Sequence, residues 1–171
     1  MNDKCGFTII EFIAVLAIAA IFLIAAVPGY QALIQNSKVV TVTNKLSASL
    51  NLARMEAVKR GVRVSVCPAG NNAFTACGDS SQWGAGWIVF TDADSNNAID
   101  SVNDLVKITE EAPGGTAISS SSSIISFDGS GFVSSGASTL TLRASGCTGN
   151  NARILNVSSS GRLSIATASC N

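Results

Sequence analysis

MNDKCGFTIIEFIAVLAIAAIFLIAAVPGYQ, residues 1–31, decides the fold, because it raises a contradiction. From Phe7 to Val27 the only charged residue is Glu11. Such a run is long enough for a membrane helix, which needs about 20 apolar residues, and longer than the ~7–15 of a cleaved secretory h-region. Yet Glu11 sits near its start, behind a leader whose only base is Lys4. A carboxylate inside a bilayer costs roughly 2.5–3.5 kcal/mol, less near the helix end, so this one asks for a functional reason.

Beyond Pro28-Gly29, where a kink is expected, the pattern changes from greasy all round to amphipathic. Val39, Val42, Leu46, Leu50, Ala53 and Ala57 recur at steps of three and four and form one apolar stripe. Gly61 is a natural helix stop. One helix from about Thr8 to about Arg60 is therefore expected, reaching on the order of 80 Å, with its second half packed on a domain. That domain starts at Val62. VRVSVCP, GWIVFTD, DLVKITE, SIISFD, GFV, STLTLRA, ARILNVSS and GRLSIA read as short strands between Gly, Asn, Asp and Ser turns. Ser119 to Ser123 reads as a low-complexity loop. The fold class expected is α+β: a long N-terminal helix, membrane-spanning then amphipathic, packed on an antiparallel sheet or sandwich.

Composition narrows the function. The 171 residues carry no net charge and no histidine. No global basic field draws the chain to nucleic acid, and the commonest general base and metal ligand is absent. No pair of carboxylates is arranged for acid–base work, so an enzyme is not expected and no cofactor is implied. Charge is nonetheless segregated. Between Lys38 and Arg63 six bases face one acid, Glu56, whereas between Asp79 and Asp128 eight acids face one base, Lys107. Internal neutralisation competes here with head-to-tail contact between copies or partners.

Four of the five cysteines form two close pairs, Cys67 with Cys77 and Cys147 with Cys170. Four cysteines allow three pairings; local pairing is favoured, since each pair brackets a polar turn-rich stretch. Zinc is the rival, disfavoured because CxxC spacing and histidine are both missing. Disulfides place the domain outside the cytoplasm.

Cys5-Gly6-Phe7-Thr8-Ile9-Ile10-Glu11 resembles the class III signal junction of type IV prepilins, and Pro28 falls where that family has its helix-kinking proline. The resemblance implies removal of residues 1–6 by a prepilin peptidase after Gly6, N-methylation of Phe7, and pairing of Glu11 with the amino terminus of a neighbouring subunit. The acid at the membrane edge then becomes an assembly device, since a carboxylate buried among helices needs a partner. NKLSASLNLARMEAVKRGVRVSVCP and WGAGWIVFTDADSNNAID further resemble segments of FimT/GspH-type minor pilins and pseudopilins. By that resemblance residues 7–29 are the transmembrane and assembly helix, 30–61 the amphipathic half and 62–171 the head. The chain would sit in the bacterial inner membrane, N-terminus cytoplasmic and head periplasmic, and then enter a pilus or pseudopilus. Its implied partners are major and minor pilins or pseudopilins, the peptidase, the inner-membrane assembly platform and, before assembly, lipid. The role implied is a tip or priming complex of a type IV pilus. The alternatives are an H-type pseudopilin of type II secretion and, third, a DNA-binding minor pilin for natural transformation.

Two further sites are weak by their own pattern. Asp92, Asp94, Asn96 and Asp100 resemble a calcium loop, but Asn97 replaces the turn glycine and Asn103 the bidentate acid. For DNA, the related Gly-Arg-x-Arg motif is half present as Gly161-Arg162-Leu163-Ser164, with Arg153 and Arg143 near it if the strands pair. Trp83 and Trp87 flank a turn, as core anchors or as an exposed patch.

Overall fold

The computed structural model describes residues 8–111 and 115–170, without the side chains of Ile24, Ala25, Ala26 and Pro28. Two compact units emerge, Met1–Ile34 and Gln35–Asn171. Helix α1 runs Ile9–Arg60, its backbone helical through positions 28 and 29. Thr8 opens it: its Oγ1 accepts from the Glu11 N–H at 3.4 Å and its carbonyl from the Phe12 N–H at 3.2 Å. An N-cap threonine satisfies a donor that the first turn leaves free. Gly61 closes it at φ +67°, with its N–H on the Ala57 carbonyl at 2.9 Å. The left-handed conformation that ends a helix is one glycine adopts without a Cβ penalty.

Eight strands follow: β1 Val64–Pro68, β2 Trp87–Thr91, β3 Leu105–Thr109, β4 Ala117–Ser120, β5 Ile125–Phe127, β6 Ser138–Arg143, β7 Ala152–Val157 and β8 Leu163–Ala168. They form two four-stranded antiparallel sheets, ordered β3-β2-β1-β5 and β4-β6-β7-β8. The expected stripe of α1, Val39 to Ala57, is fully buried against both. From the first sheet come Val64, Val66, Trp87 and Val89; from the second Leu140, Leu142, Leu155 and Val157. Strand alternation sends Cys67, Ile88 and Phe90 to the opposite face of the first sheet, where Phe74, Ile99 and Leu105 cover them as a second, smaller core. Trp83 and Trp87 are buried, Trp83 with its indole N–H on the Ser122 carbonyl at 3.0 Å, so they anchor the core.

Two expectations about strands need correction. Ser119 and Ser120 lie in β4, paired with Thr141 and Leu140 of β6. Nothing local makes this serine-rich stretch a strand; pairing with β6 does, and Ile118 alone turns inward. Conversely GFV is no strand: Gly131 has φ +81°, Phe132 is exposed, and only Val133 bridges to Phe127.

Among the described residues no helix is long and apolar enough to cross a membrane. The described side chains of the apolar run stop at Leu23 and resume at Val27.

Candidate functional site

The first unit presents large apolar side chains with nothing over them. Ile9 and Ile10 are 81% and 78% exposed, and Phe12, Ile13, Leu16, Ile21, Phe22 and Leu23 all exceed half. A helix apolar all round needs lipid or other helices to cover it. Glu11 lies in its first turn, exposed and without an ion pair among the described residues. The positive end of the helix dipole favours an acid there. Gly6 and Phe7, the expected processing junction, lie outside the described residues, as does the side chain of Pro28.

In the second unit two cationic side chains hold distant segments together. Arg54 Nε donates to the Gly131 carbonyl at 3.0 Å, and its Nη2 to the Ser160 carbonyl at 3.2 Å. It thereby ties α1 to two turns 77 and 106 residues away in sequence. Gly161, at φ +74°, lets the β7–β8 turn approach: a Cβ there would meet Arg54 Nε at 2.9 Å. Arg54→Ala should cost about 1.5–3 kcal/mol, the range for hydrogen bonds to a charged group. Arg54→Lys should not restore it, because an ammonium lacks the planar fork. Urea unfolding of Gln35–Asn171 measures both.

Arg63 is the second. Its Nε lies 3.1 Å from Asp92 Oδ2, and its Nη2 donates to Ser126 Oγ at 3.0 Å and to Asn97 Oδ1. The Asp92 side chain is fully buried and also accepts from Ser65 Oγ at 3.1 Å. This settles the geometry of the calcium-like loop. Asp92 is occupied by a guanidinium, and the Asn96 amide donates to Asp94 Oδ2 at 2.8 Å and to both Asp100 oxygens at 3.2 Å. An amide group stands where those carboxylates converge. Among the described residues no three His, Cys, Asp or Glu are placed to hold a metal.

At the helix end Glu56 receives Arg60 Nε at 2.7 Å and Lys59 Nζ at 3.5 Å. The Arg60 hydrogen bond, more than the Lys59 charge, holds its carboxyl below the ordinary carboxylate range. The stability this adds is present above the ordinary carboxylate pKa and fades as pH falls through the depressed value.

The three tail arginines do not form the expected cluster. Their strands do pair, but the register keeps Arg162 apart from the other two. Arg153 stands opposite Leu142 and Thr167, whereas Arg162 adjoins Leu163, opposite Val157. Those positions are four steps apart along β7, about 13 Å at ~3.3 Å per step. Arg143 adjoins Leu142 at the Arg153 end, opposite Ala117. Arg153 is engaged as well: Nη2 donates to Asn36 Oδ1 at 2.6 Å and Nη1 to the Ala152 carbonyl at 2.9 Å. Arg162 alone is exposed. Cys67 is bonded to Cys77 and Cys147 to Cys170, each pair with Cα atoms 5.5 Å apart.

The sequence argument missed Arg54 and the Arg63–Asp92 pair, counting the two arginines only as charges and Asp92 as a calcium-loop candidate. Their partners are main-chain carbonyls and loops far along the chain, so no local pattern announces them.

Residues 42–161 match the family model described as type II transport protein GspH, and residues 1–27 match the prokaryotic N-terminal methylation motif. Among solved structures, the type IV minor pilin FimU of Pseudomonas aeruginosa (strain PAO1) is similar in two crystal forms. One gives a TM-score of 0.61 at 17% identity over 79% of this chain and 96% of that one. The other gives 0.58 at 19% identity over 77% and 98%. At such identity the likeness is one of fold. No curated protein sequence matches the chain significantly.

Proposed function

The chain belongs to the GspH family, as a type IV pilin-like minor pilin or pseudopilin, and from that premise we propose that it is a minor pilin of a type IV pilus, acting in a tip or priming complex that starts assembly. The observation that carries this reading is the uncovered apolar helix of the first unit, with a single acid in its opening turn. In lipid that surface is solvated; in a fibre it is covered by neighbouring helices. The proposal assigns residues 1–6 to a leader removed after Gly6, 7–29 to the assembly helix, 30–61 to the amphipathic half and 62–171 to a periplasmic head. Phe7 becomes the N-methylated terminus, and Glu11 meets that terminus on a neighbour, an ion pair strengthened where water is excluded. The mechanism is one of packing and charge pairing, with no chemical step.

The family model's description favours a second reading, an H-type pseudopilin of a type II secretion system, using the same helix in a periplasmic fibre. DNA capture is not proposed, because Arg162 stands at the far end of the sheet from Arg143 and Arg153, and Arg153 is engaged.

Processing and incorporation are the test. Wild-type chain recovered from fibres should begin at Phe7, methylated, by mass spectrometry. Gly6→Leu should leave the leader attached. Glu11→Val should be cleaved normally yet fall at least about tenfold in the fibre fraction, as expected when a buried charge contact is lost. A wild-type chain that keeps Met1 in assembled material would overturn the proposal. Loss of surface pili on deletion supports the first reading, and loss of protein secretion the second.

A further inference from the structure

The head carries two exposed surfaces that the assembly helix does not use, and they complement one another. The first is on α1. Facing away from the core, Asn51, Arg54, Met55, Val58 and Lys59 line an open groove of about 530 Å³. Met55 and Val58 form its floor and are 62% and 53% exposed. Arg54 and Lys59 supply its rim, the Lys59 side chain being 76% exposed. Apolar side chains at i and i+3 on the outer face of a packed helix contribute nothing to the core they turn from.

The second surface is the β2–β3 loop. Val102, 75% exposed, stands at its tip on a 3-10 turn from Val102 to Asp104. The tip is held in shape: Ser101 Oγ accepts from the Asn103 N–H at 3.2 Å, and Asp104 Oδ2 from the Ser101 N–H at 2.8 Å. Asp100 and Asp104 adjoin it, Asp94 lies earlier in the same loop, and from Asp92 to Asp104 there is no base. One surface is thus an apolar floor with a cationic rim, the other an apolar knob among acids.

Their placement matters as much as their chemistry. The groove lies on the side of α1 turned from the shared core, beyond one face of the first sheet. The knob's loop covers the other face of that sheet through Ile99 and Leu105. The helix that bears the groove and the residues that anchor the knob's loop thus lie on opposite faces of that sheet, meeting at the helix end, where Arg60 Nη1 donates to Thr91 Oγ1 at 3.2 Å. Contact between two different patches of one chain is heterologous, and repeating it builds a helical array unless the rotation closes.

We propose that the groove at Met55 and Val58 receives Val102 of a second copy of this chain, with Lys59 and Arg54 facing its Asp100 and Asp94. The second copy is the occupant because this chain itself carries the complement of the groove: an exposed valine on a loop that holds acids and no base, against Met55 and Val58 beside Arg54 and Lys59. One valine and two or three charge pairs bind weakly in solution. Between chains confined to one membrane or fibre, the effective concentration makes such a contact persist. The inference rests on the pilin reading only for the place where copies meet.

The test is site-specific cross-linking of the full chain in cells that produce it. Two differently tagged copies are co-produced in a Cys5→Ser background, one carrying Val58→Cys and the other Val102→Cys, and mildly oxidised. The mixed 58–102 adduct should exceed either same-site adduct by at least about tenfold. Lys59→Glu should abolish that excess, and Asp100→Lys in the partner copy should restore it. Intact native disulfides in each variant, checked by non-reducing peptide mapping, show that the heads are folded. No adduct, equal amounts of all three, or an adduct of position 58 with a different protein would overturn the proposal. Leader cleavage and fibre incorporation are scored in the same cells. Incorporated chains without the mixed adduct sink this contact and leave the pilin reading standing. The mixed adduct in cells where no chain loses its leader or enters a fibre sinks the pilin reading and leaves the contact.

Discussion

Arg63→Met is expected to destabilise the unit Gln35–Asn171 by about 3–5 kcal/mol, a large part of the 5–15 kcal/mol that holds a typical domain folded. The reason is what the substitution leaves behind. Asp92 has no exposed side-chain surface, and its main countercharge is the Arg63 guanidinium 3.1 Å away. Removing the cation leaves Ser65 Oγ and the Asn97 N–H, two neutral donors, on a buried carboxylate. Asp92→Asn is expected to cost less, about 1–3 kcal/mol, because Arg63 is 19% exposed and keeps some access to water. The double variant Arg63→Met/Asp92→Asn should lose at least about 1.5 kcal/mol less than the two single losses added together. Denaturant titrations of the four proteins give that coupling directly. A coupling below about 0.5 kcal/mol would mark the pair as an ordinary surface contact and defeat the argument. The pair also fixes the root of the β2–β3 loop, so Arg63→Met should weaken the Val58–Val102 cross-link as well.

Loss of both disulfides is the second large effect. In the chain-entropy model the Cys67–Cys77 closure contributes about 2.8 kcal/mol and the wider Cys147–Cys170 closure about 3.4 kcal/mol. Cys67→Ser/Cys77→Ser should therefore give a folded but weakened head, with its loss felt most where Phe74 and Cys77 pack over Cys67, Ile88 and Phe90. Cys147→Ser/Cys170→Ser should free the end of β8, an edge strand held along β7 on one side only. Removing all four should cost on the order of 6 kcal/mol, enough to leave most of the head unfolded at 37 °C. Circular dichroism melts of the three variants check the order. A fourfold variant that melts within a few degrees of wild type would show that the bridges are dispensable.

Much of this fold was legible before any coordinates, and the reason is periodicity. Val39 through Ala57 repeat at helical spacing, and a stripe of that kind has one way to leave water, so the buried face of α1 followed from the sequence. Gly61 ended the helix because a left-handed residue was needed there. The β-rich head followed from alternation and turn residues. β4 did not, because its serines carry no strand signal and only β6 makes them one. For the candidate sites the division is sharper. The processing junction, the acid at its helix and the segregated charge are local facts, written in consecutive residues. Whether Arg162, Arg153 and Arg143 gather was a matter of register, and register placed Arg162 at the opposite end of β7 from the other two. That Asp92 faces a guanidinium, that Arg54 ties three segments, and that α1 and the β2–β3 loop cover opposite faces of one sheet are likewise outcomes of packing. Each joins residues tens of positions apart. The sequence by itself determined which surfaces are apolar, which are charged and where the helix runs, since those depend on near neighbours along the chain. The tertiary structure decided which charges meet and which faces stay open, because that depends on how strands are paired.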